Sequence, residues 1–183
     1  MTGMELRHHL QLTAPVRQAL IDLYRDVRAP LLHLPNYRPA VFAERLERHG
    51  CEPGFEAVIG RDRGQAVGYA YGNTIGPGDR WWSRMDKPVP EELAARPTLA
   101  LKEIGVRTPW RGTGTARRIH DELLAGRGEE QVTLMVNPAA GDGKVLALYE
   151  AWGYEAVNEV RPNPEAPPLI AMLRPIRPEG SRP

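Results

Sequence analysis

The chain predicts an α/β (α+β) domain of about seven strands and about four helices, and three observations carry that expectation. Short segments with strand composition or period-two alternation outnumber helical stretches. The helical stretches carry apolar stripes at three- and four-residue spacing, and segments rich in glycine and proline punctuate them. A chain of 183 residues suits one domain with a substantial core, read here as residues 1–175, with 176–183 expected to be a disordered tail.

The elements follow in order. Met4 to Leu12 reads as a strand, because Met4, Leu6, His8, Leu10 and Leu12 fall on one face. Thr13 and Pro15 then open a helix whose Val16, Ala19, Leu20, Leu23, Tyr24 and Val27 form a buried stripe, and Pro30 stops or bends it. Pro39 to Glu47 is a second helix, with Phe42 and Leu46 inward and Gly50 near its end. Phe55–Gly60 and Ala66–Tyr71 form a hairpin around Arg61–Gln65. Gly76 to Pro97 breaks every periodicity and is expected to be an inserted loop, functional or mobile, whose Trp81 and Trp82 need a covering surface. Leu99–Val106 is a strand, Gly114–Ala125 a helix and Gln131–Val136 a strand. Asp142 is expected to cap a helix bearing Val145, Leu148, Tyr149 and Trp152 on one side, with Gly153 as its stop. Glu155–Val160 and Pro168–Leu173 complete the strands.

Composition narrows the functional classes. A hydrophobic share of 42%, a charged share of 26% and a formal net charge of +1 fit a soluble globular chain with no general attraction to nucleic acid or an anionic membrane. A small or local partner is expected. Cys51 is the single cysteine, so no internal disulfide forms, and it is expected to be a buried or half-buried thiol. His8 and His9 point to opposite faces of their strand, and His33, His49 and His120 show no ligand spacing; no metal is expected. Met1–His9 lacks the apolar core of a signal peptide, and no apolar run is long enough to cross a bilayer, so a cytoplasmic location is expected.

The chemistry concentrates in Arg111-Gly112-Thr113-Gly114-Thr115-Ala116, between a strand and a helix. That arrangement aims free backbone N–H groups and the positive end of a helix dipole at one point, where a pyrophosphate can sit. Gly112 and Gly114 allow close approach, Arg111 adds positive charge, and Thr113 and Thr115 add hydroxyls. A Walker loop needs lysine and then serine or threonine after its second glycine, where Thr115, Ala116 and Arg117 stand. A dinucleotide fingerprint starting at Gly112 needs a small residue at Arg117 and a series of βαβ units.

The remaining pattern, met by Arg111, Gly114 and Ala116, resembles that of the GNAT superfamily of N-acetyltransferases. Glu103-Ile104-Gly105-Val106 looks like the family's fourth strand, Leu134–Asn137 like its fifth, and Leu148-Tyr149-Glu150-Ala151-Trp152-Gly153-Tyr154 like its closing helix. The likeness is specific from about Leu99 to Tyr154. One departure is the stretch from Asn137 to the Tyr149 helix, about two residues longer than usual, with Asp142 where a second asparagine is common.

The resemblance implies a central mixed, mostly antiparallel sheet and transfer of an acetyl group from acetyl-CoA to a primary amine of a small molecule or peptide, by direct attack in a ternary complex. It places the coenzyme along Ile104, Gly105 and Val106, over Arg111 to Ala116, near Arg117 and against Asn137. It makes Tyr149 the general acid for the thiolate and Glu103 a candidate base, acting through water. Other readings stay open: Tyr149 as a packing residue, Asn137 as a strand-end cap, and Glu103 as a salt-bridge partner of Lys102 or Arg107. Tyr37, Trp81 and Trp82 are the candidate acceptor contacts, though the tryptophans equally suit packing against the core or a second subunit of a homodimer. A coenzyme A sensing module without turnover, or a dinucleotide-dependent enzyme, is the alternative.

Overall fold

The computed structural model describes residues 3–176. Its strands are β1 (Glu5–His9), β2 (Glu56–Asp62), β3 (Gln65–Ile75), β4 (Thr98–Val106), β5 (Gln131–Val136), β6 (Glu155–Val160) and β7 (Leu169–Pro175). Its α-helices are α1 (Ala14–Val27), α2 (Pro39–Gly50), α3 (Arg80–Ser83), α4 (Glu91–Ala94), α5 (Thr115–Leu124) and α6 (Lys144–Ala151). The strands form one sheet in the order β1-β2-β3-β4-β5-β7-β6. The β1–β2, β2–β3, β5–β7 and β6–β7 ladders are antiparallel, whereas β4 runs parallel to β5 over Thr98–Ala100. The expected mixed, mostly antiparallel sheet of seven strands is therefore present.

By backbone proximity the described residues group into two units: 3–73 together with Lys102–Arg127, and Thr74–Leu101 together with 128–176. In the first, the stripe of α1 buries Leu20, Leu23, Tyr24 and Val27 with Phe42 and Leu46 of α2 and Ala57, Ile59, Tyr69 and Tyr71 of β2 and β3. Tyr24 and Phe42 stack face to face with centroids 3.8 Å apart. The hairpin is tighter than expected, because Arg63 and Gly64 at φ +48° and +80° turn the chain between Asp62 and Gln65. Helix α5 lies on a thinned part of this hairpin. Gly60 and Gly68 are cross-strand partners, and a Cβ on either would stand 3.0 Å or 2.8 Å from Cδ1 of the fully buried Ile119.

The second unit corrects the expected inserted loop, since residues 76–97 carry two short helices, α3 and α4. Asp79 caps α3 by accepting from the Trp81 amide at 2.8 Å, and the Trp82 indole donates to the Gly76 carbonyl at 3.0 Å. Both tryptophans are buried with Ile75, Met85, Ala94, Val160 and Ala171. The middle of the insert, between α3 and α4, is fixed to β6 by the Met85–Val160 bridge and by Asn158, which accepts from the Lys87 amide and donates to its carbonyl.

Three local expectations also change. β1 ends at His9, leaving Leu10 70% exposed, because its ladder with β2 takes in five residues. Asp142 does not cap α6: it has φ +55°, and Gly143 at φ +83° precedes the helix, on which Leu148 is exposed. Of the expected tail, Ile176 is buried and donates to the Glu130 carbonyl, and 177–183 lie outside the described residues.

His8 ties three elements of the first unit together. Its Nδ1 lies 2.5 Å from Glu56 and its Nε2 2.8 Å from Glu122, while Arg127 donates to the other Glu56 oxygen at 2.9 Å. The hydrogen bonds to Glu122 and Glu56 raise the His8 pKa above its ordinary value of 6.5. A raised histidine pKa adds stability that is full below the unfolded value and fades as pH rises through the folded one. His8→Gln is accordingly expected to lower the melting temperature more at about pH 6 than at about pH 9. An equal loss at the two values would contradict the bridge.

Candidate functional site

The loop from β4 to α5 is held open by its own side chains. A 3-10 turn over Thr108–Trp110 leads to Arg111, whose Nε donates to the Val106 carbonyl and Nη2 to the Val27 carbonyl, each at 3.1 Å. The Trp110 indole donates to Asp62 at 3.1 Å, the Thr113 hydroxyl to the Trp110 carbonyl at 2.6 Å, and the hydroxyls of Thr113 and Thr115 lie 2.9 Å apart. Gly112 and Gly114 have φ +70° and +81°, the left-handed region that a Cβ disfavours. A Cβ at either would meet no atom within 4 Å, so the space above them is open. Gly114 precedes α5 and supplies no side-chain cap, leaving the amides of the first turn directed at that space.

Uncapped first-turn amides facing open space are the arrangement that an anion such as a pyrophosphate requires. The geometry also refines the part expected of Arg111. That guanidinium fastens the loop to the ends of β4 and α1, and Thr113 points its hydroxyl at its own loop. Arg117 is salt-bridged to Asp121 at 2.7 Å, one turn along α5. Ile104, Gly105 and Val106 lie on β4 before the loop; a Cβ on Gly105 would come within 2.7 Å of Val27.

Glu103, also on β4, is pinned between two guanidiniums. Nη2 of Arg28 donates to Oε2 and Nη2 of Arg45 donates to Oε1, both at 3.2 Å. The expected partners are engaged elsewhere: Lys102 pairs with Glu52 at 3.4 Å and Arg107 with Asp26 at 2.6 Å. Arg45 also lies over the Phe42 ring, 5.7 Å from its centroid. Burial opposes the charge on Arg28, yet the Glu103 carboxylate and its neighbours outweigh it and hold the pKa above the ordinary value. Burial first, and then Glu103, pushes Tyr69 and Tyr71 well above the usual tyrosine range. His49 falls to about 3, through burial and then Lys102, and stays neutral beside the Tyr71 hydroxyl at 3.1 Å. The sequence reading missed Arg28 and Arg45, which lie 75 and 58 residues from Glu103 with no spacing signal to connect them.

Tyr37 is half-buried in a 3-10 turn of the first unit, Pro35–Tyr37. The remaining candidates belong to the second unit. Tyr149 is buried on α6, edge-on to Trp152 and Tyr154 at 5.6 and 5.7 Å. Asn137 accepts from the Ala139 amide at 2.9 Å, closing a turn at the end of β5. Trp82 lines a cleft of about 850 Å³ with Asp79, Met85, Asp86, Lys87 and Val89, and Trp81 is not among its lining residues. Cys51 is exposed after α2, contrary to the buried or half-buried thiol expected. No group of three or more His, Cys, Asp or Glu among the described residues is arranged to hold a metal ion.

If Arg111 fastens the loop, Arg111→Gln lowers the stability of the ligand-free protein by about 1–3 kcal/mol, the range for losing charge-assisted hydrogen bonds. Unchanged ligand-free melting with weakened anion binding would instead make Arg111 a ligand contact alone.

No family model and no curated protein matches the chain by sequence. Solved structures do match by fold. An acetyltransferase of the GNAT family from Streptococcus agalactiae superposes with a TM-score of 0.66 at 14% identity, covering 95% of this chain and 96% of that one. The ribosomal-protein-S18-alanine N-acetyltransferase from Escherichia coli gives 0.62 at 16%, covering 97% of each. An aminoglycoside 6'-acetyltransferase type Ii gives 0.63 at 21%, covering 98% and 99%. At these identities it is the architecture that is shared: the chain has the GNAT acetyltransferase fold.

Proposed function

We propose that the chain transfers an acetyl group from acetyl-CoA to a primary amine. The observation that carries this reading is the open, uncapped cradle at Gly112–Thr115, in a fold shared with acetyltransferases of the GNAT family. The amides that open α5 would hold the coenzyme pyrophosphate. The pantetheine arm is assigned to the backbone of Ile104, Gly105 and Val106, with Asn137 as a further contact.

Acetyl-CoA supplies the thioester; transfer forms a C–N bond, breaks a C–S bond, releases a proton from the amine and leaves a thiolate that needs one. Tyr149 is assigned as the donor of that proton, because a phenol of ordinary pKa about 10 matches a thiolate of similar basicity. Its edge-on contacts with Trp152 and Tyr154 restrict the ring to one orientation.

Two substitutions test these assignments. Gly114→Asp puts a negative charge in the cradle and is expected to abolish coenzyme A binding in a calorimetric titration. Gly114→Asn, which tolerates the left-handed backbone, is expected to retain part of it. Binding by the aspartate variant equal to the asparagine one would refute the phosphate assignment. Tyr149→Phe should lower kcat by about 10²-fold or more with little change in coenzyme affinity. Unchanged turnover would remove Tyr149 from the mechanism.

A further inference from the structure

We infer that Arg28 and Arg45, held in place by Glu103, recognise a carboxylate on the acceptor, so that the substrate is an amine that also carries a carboxyl group. This rests on the acetyl-transfer reading and names the acceptor class. Charge balance is the starting point. Lys102 and Arg107 are each matched by one carboxylate, Glu52 and Asp26, whereas Arg28 and Arg45 share Glu103 alone. Two guanidiniums against one carboxylate leave a net charge of +1 at the bridge. His49 nearby is neutral and does not change the balance.

The bonding geometry leaves donors in excess as well. Each guanidinium reaches Glu103 through one Nη2, whereas the planar fork of arginine carries five N–H donors and is built for two-point contact with a carboxylate. The Arg28 Nε and the Tyr69 hydroxyl are buried donors without a hydrogen-bond partner. Glu103 is 13% exposed while the Arg28 and Arg45 side chains are 31% and 28% exposed. The bridging carboxylate is thus more deeply buried than the cations it joins.

The bridge is also anchored to the same backbone as the cradle. Arg111 holds the carbonyls of Val27, adjacent to Arg28, and of Val106, three residues beyond Glu103. Phe42, stacked on Tyr24, supports Arg45 from α2. A cation pair fixed in the frame of the coenzyme loop can orient an acceptor whose amine and carboxylate are separated by a set length. Glu103 is, on this account, a positioning residue: it keeps two like charges side by side.

The test uses pairs of primary amines, each an ω-amino acid and its carboxamide, over spacers of increasing length, with acetyl-CoA and a readout of free thiol. For at least one spacer kcat/KM for the acid should exceed that for the amide by about tenfold or more, since burying a charged hydrogen-bonding site against a neutral partner leaves it unpaired. Arg28→Gln and Arg45→Gln should bring that ratio to about one, with Arg→Lys at each position intermediate because the charge remains and the fork is lost. Melting curves establish that each variant is folded, and the lysine variants carry the test if a glutamine variant is not. Glu103→Gln should raise KM for the acid more than it lowers kcat; a matching fall in kcat for acid and amide would make Glu103 a base and overturn the positioning role.

Equal use of acid and amide by the wild type, or an unchanged ratio in the arginine variants, would overturn the assignment. So would an aminoalkyl phosphonate preferred over the carboxylate, which would move the specificity to phosphate esters. Turnover of no amine at all would count against acetyl transfer instead. Titration of N-acetyl amino acids into coenzyme A-saturated protein then reads carboxylate recognition without turnover: binding weakened by Arg45→Gln supports it, and no binding refutes it.

Discussion

Ile119 of α5 rests on two glycines of paired strands, and the place where α5 begins follows from that contact. Gly60 and Gly68 face one another across the β2–β3 hairpin, and a methyl group on either would press on the Ile119 Cδ1. Burying the isoleucine side chain is worth about 1.5–3 kcal/mol, enough to set the helix at one height over the sheet. The N-terminus of α5 is then fixed, and with it the direction of its uncapped amides. Arg111 completes the arrangement by tying the loop to the ends of β4 and α1. The loop is therefore shaped by its own contacts, and amides preorganised in this way would lose little on binding an anion.

The same economy governs the charges of the first unit. The partly buried cations are met by carboxylates: Arg107 by Asp26, Lys102 by Glu52, and His8 by Glu56 and Glu122. The Arg28–Glu103–Arg45 bridge is uneven, two guanidiniums to one carboxylate. A structure that keeps an extra half-buried positive charge usually has a use for it, since replacing a guanidinium with an apolar side chain would relieve its desolvation.

Much of this was legible in the sequence. The strands Gln131–Val136 and Glu155–Val160 fall where their composition put them, and the stripe of α1 is buried as its spacing required. The glycine turn ahead of α5 was visible because two glycines before an apolar-striped helix are a local signal, written in adjacent residues. What escaped the reading is non-local. Arg28, Arg45 and Glu103 meet only because α1, α2 and β4 converge, and no periodicity records that meeting. Arg111 carried the charge a phosphate contact needs, but whether its fork would face the ligand or the Val27 carbonyl is a tertiary fact. The insert misled for another reason: its helices are four residues each, too short to leave a periodic trace, and it is ordered by capping and by Asn158 on a distant strand.

The most direct test is a calorimetric titration of the unmodified protein with coenzyme A, run beside NAD under the same conditions. One saturable site for coenzyme A is expected, with affinity falling as salt rises because the contact is made to phosphate charge, and no comparable binding of NAD. Failure to bind coenzyme A, or preference for the dinucleotide, would contradict the coenzyme A assignment.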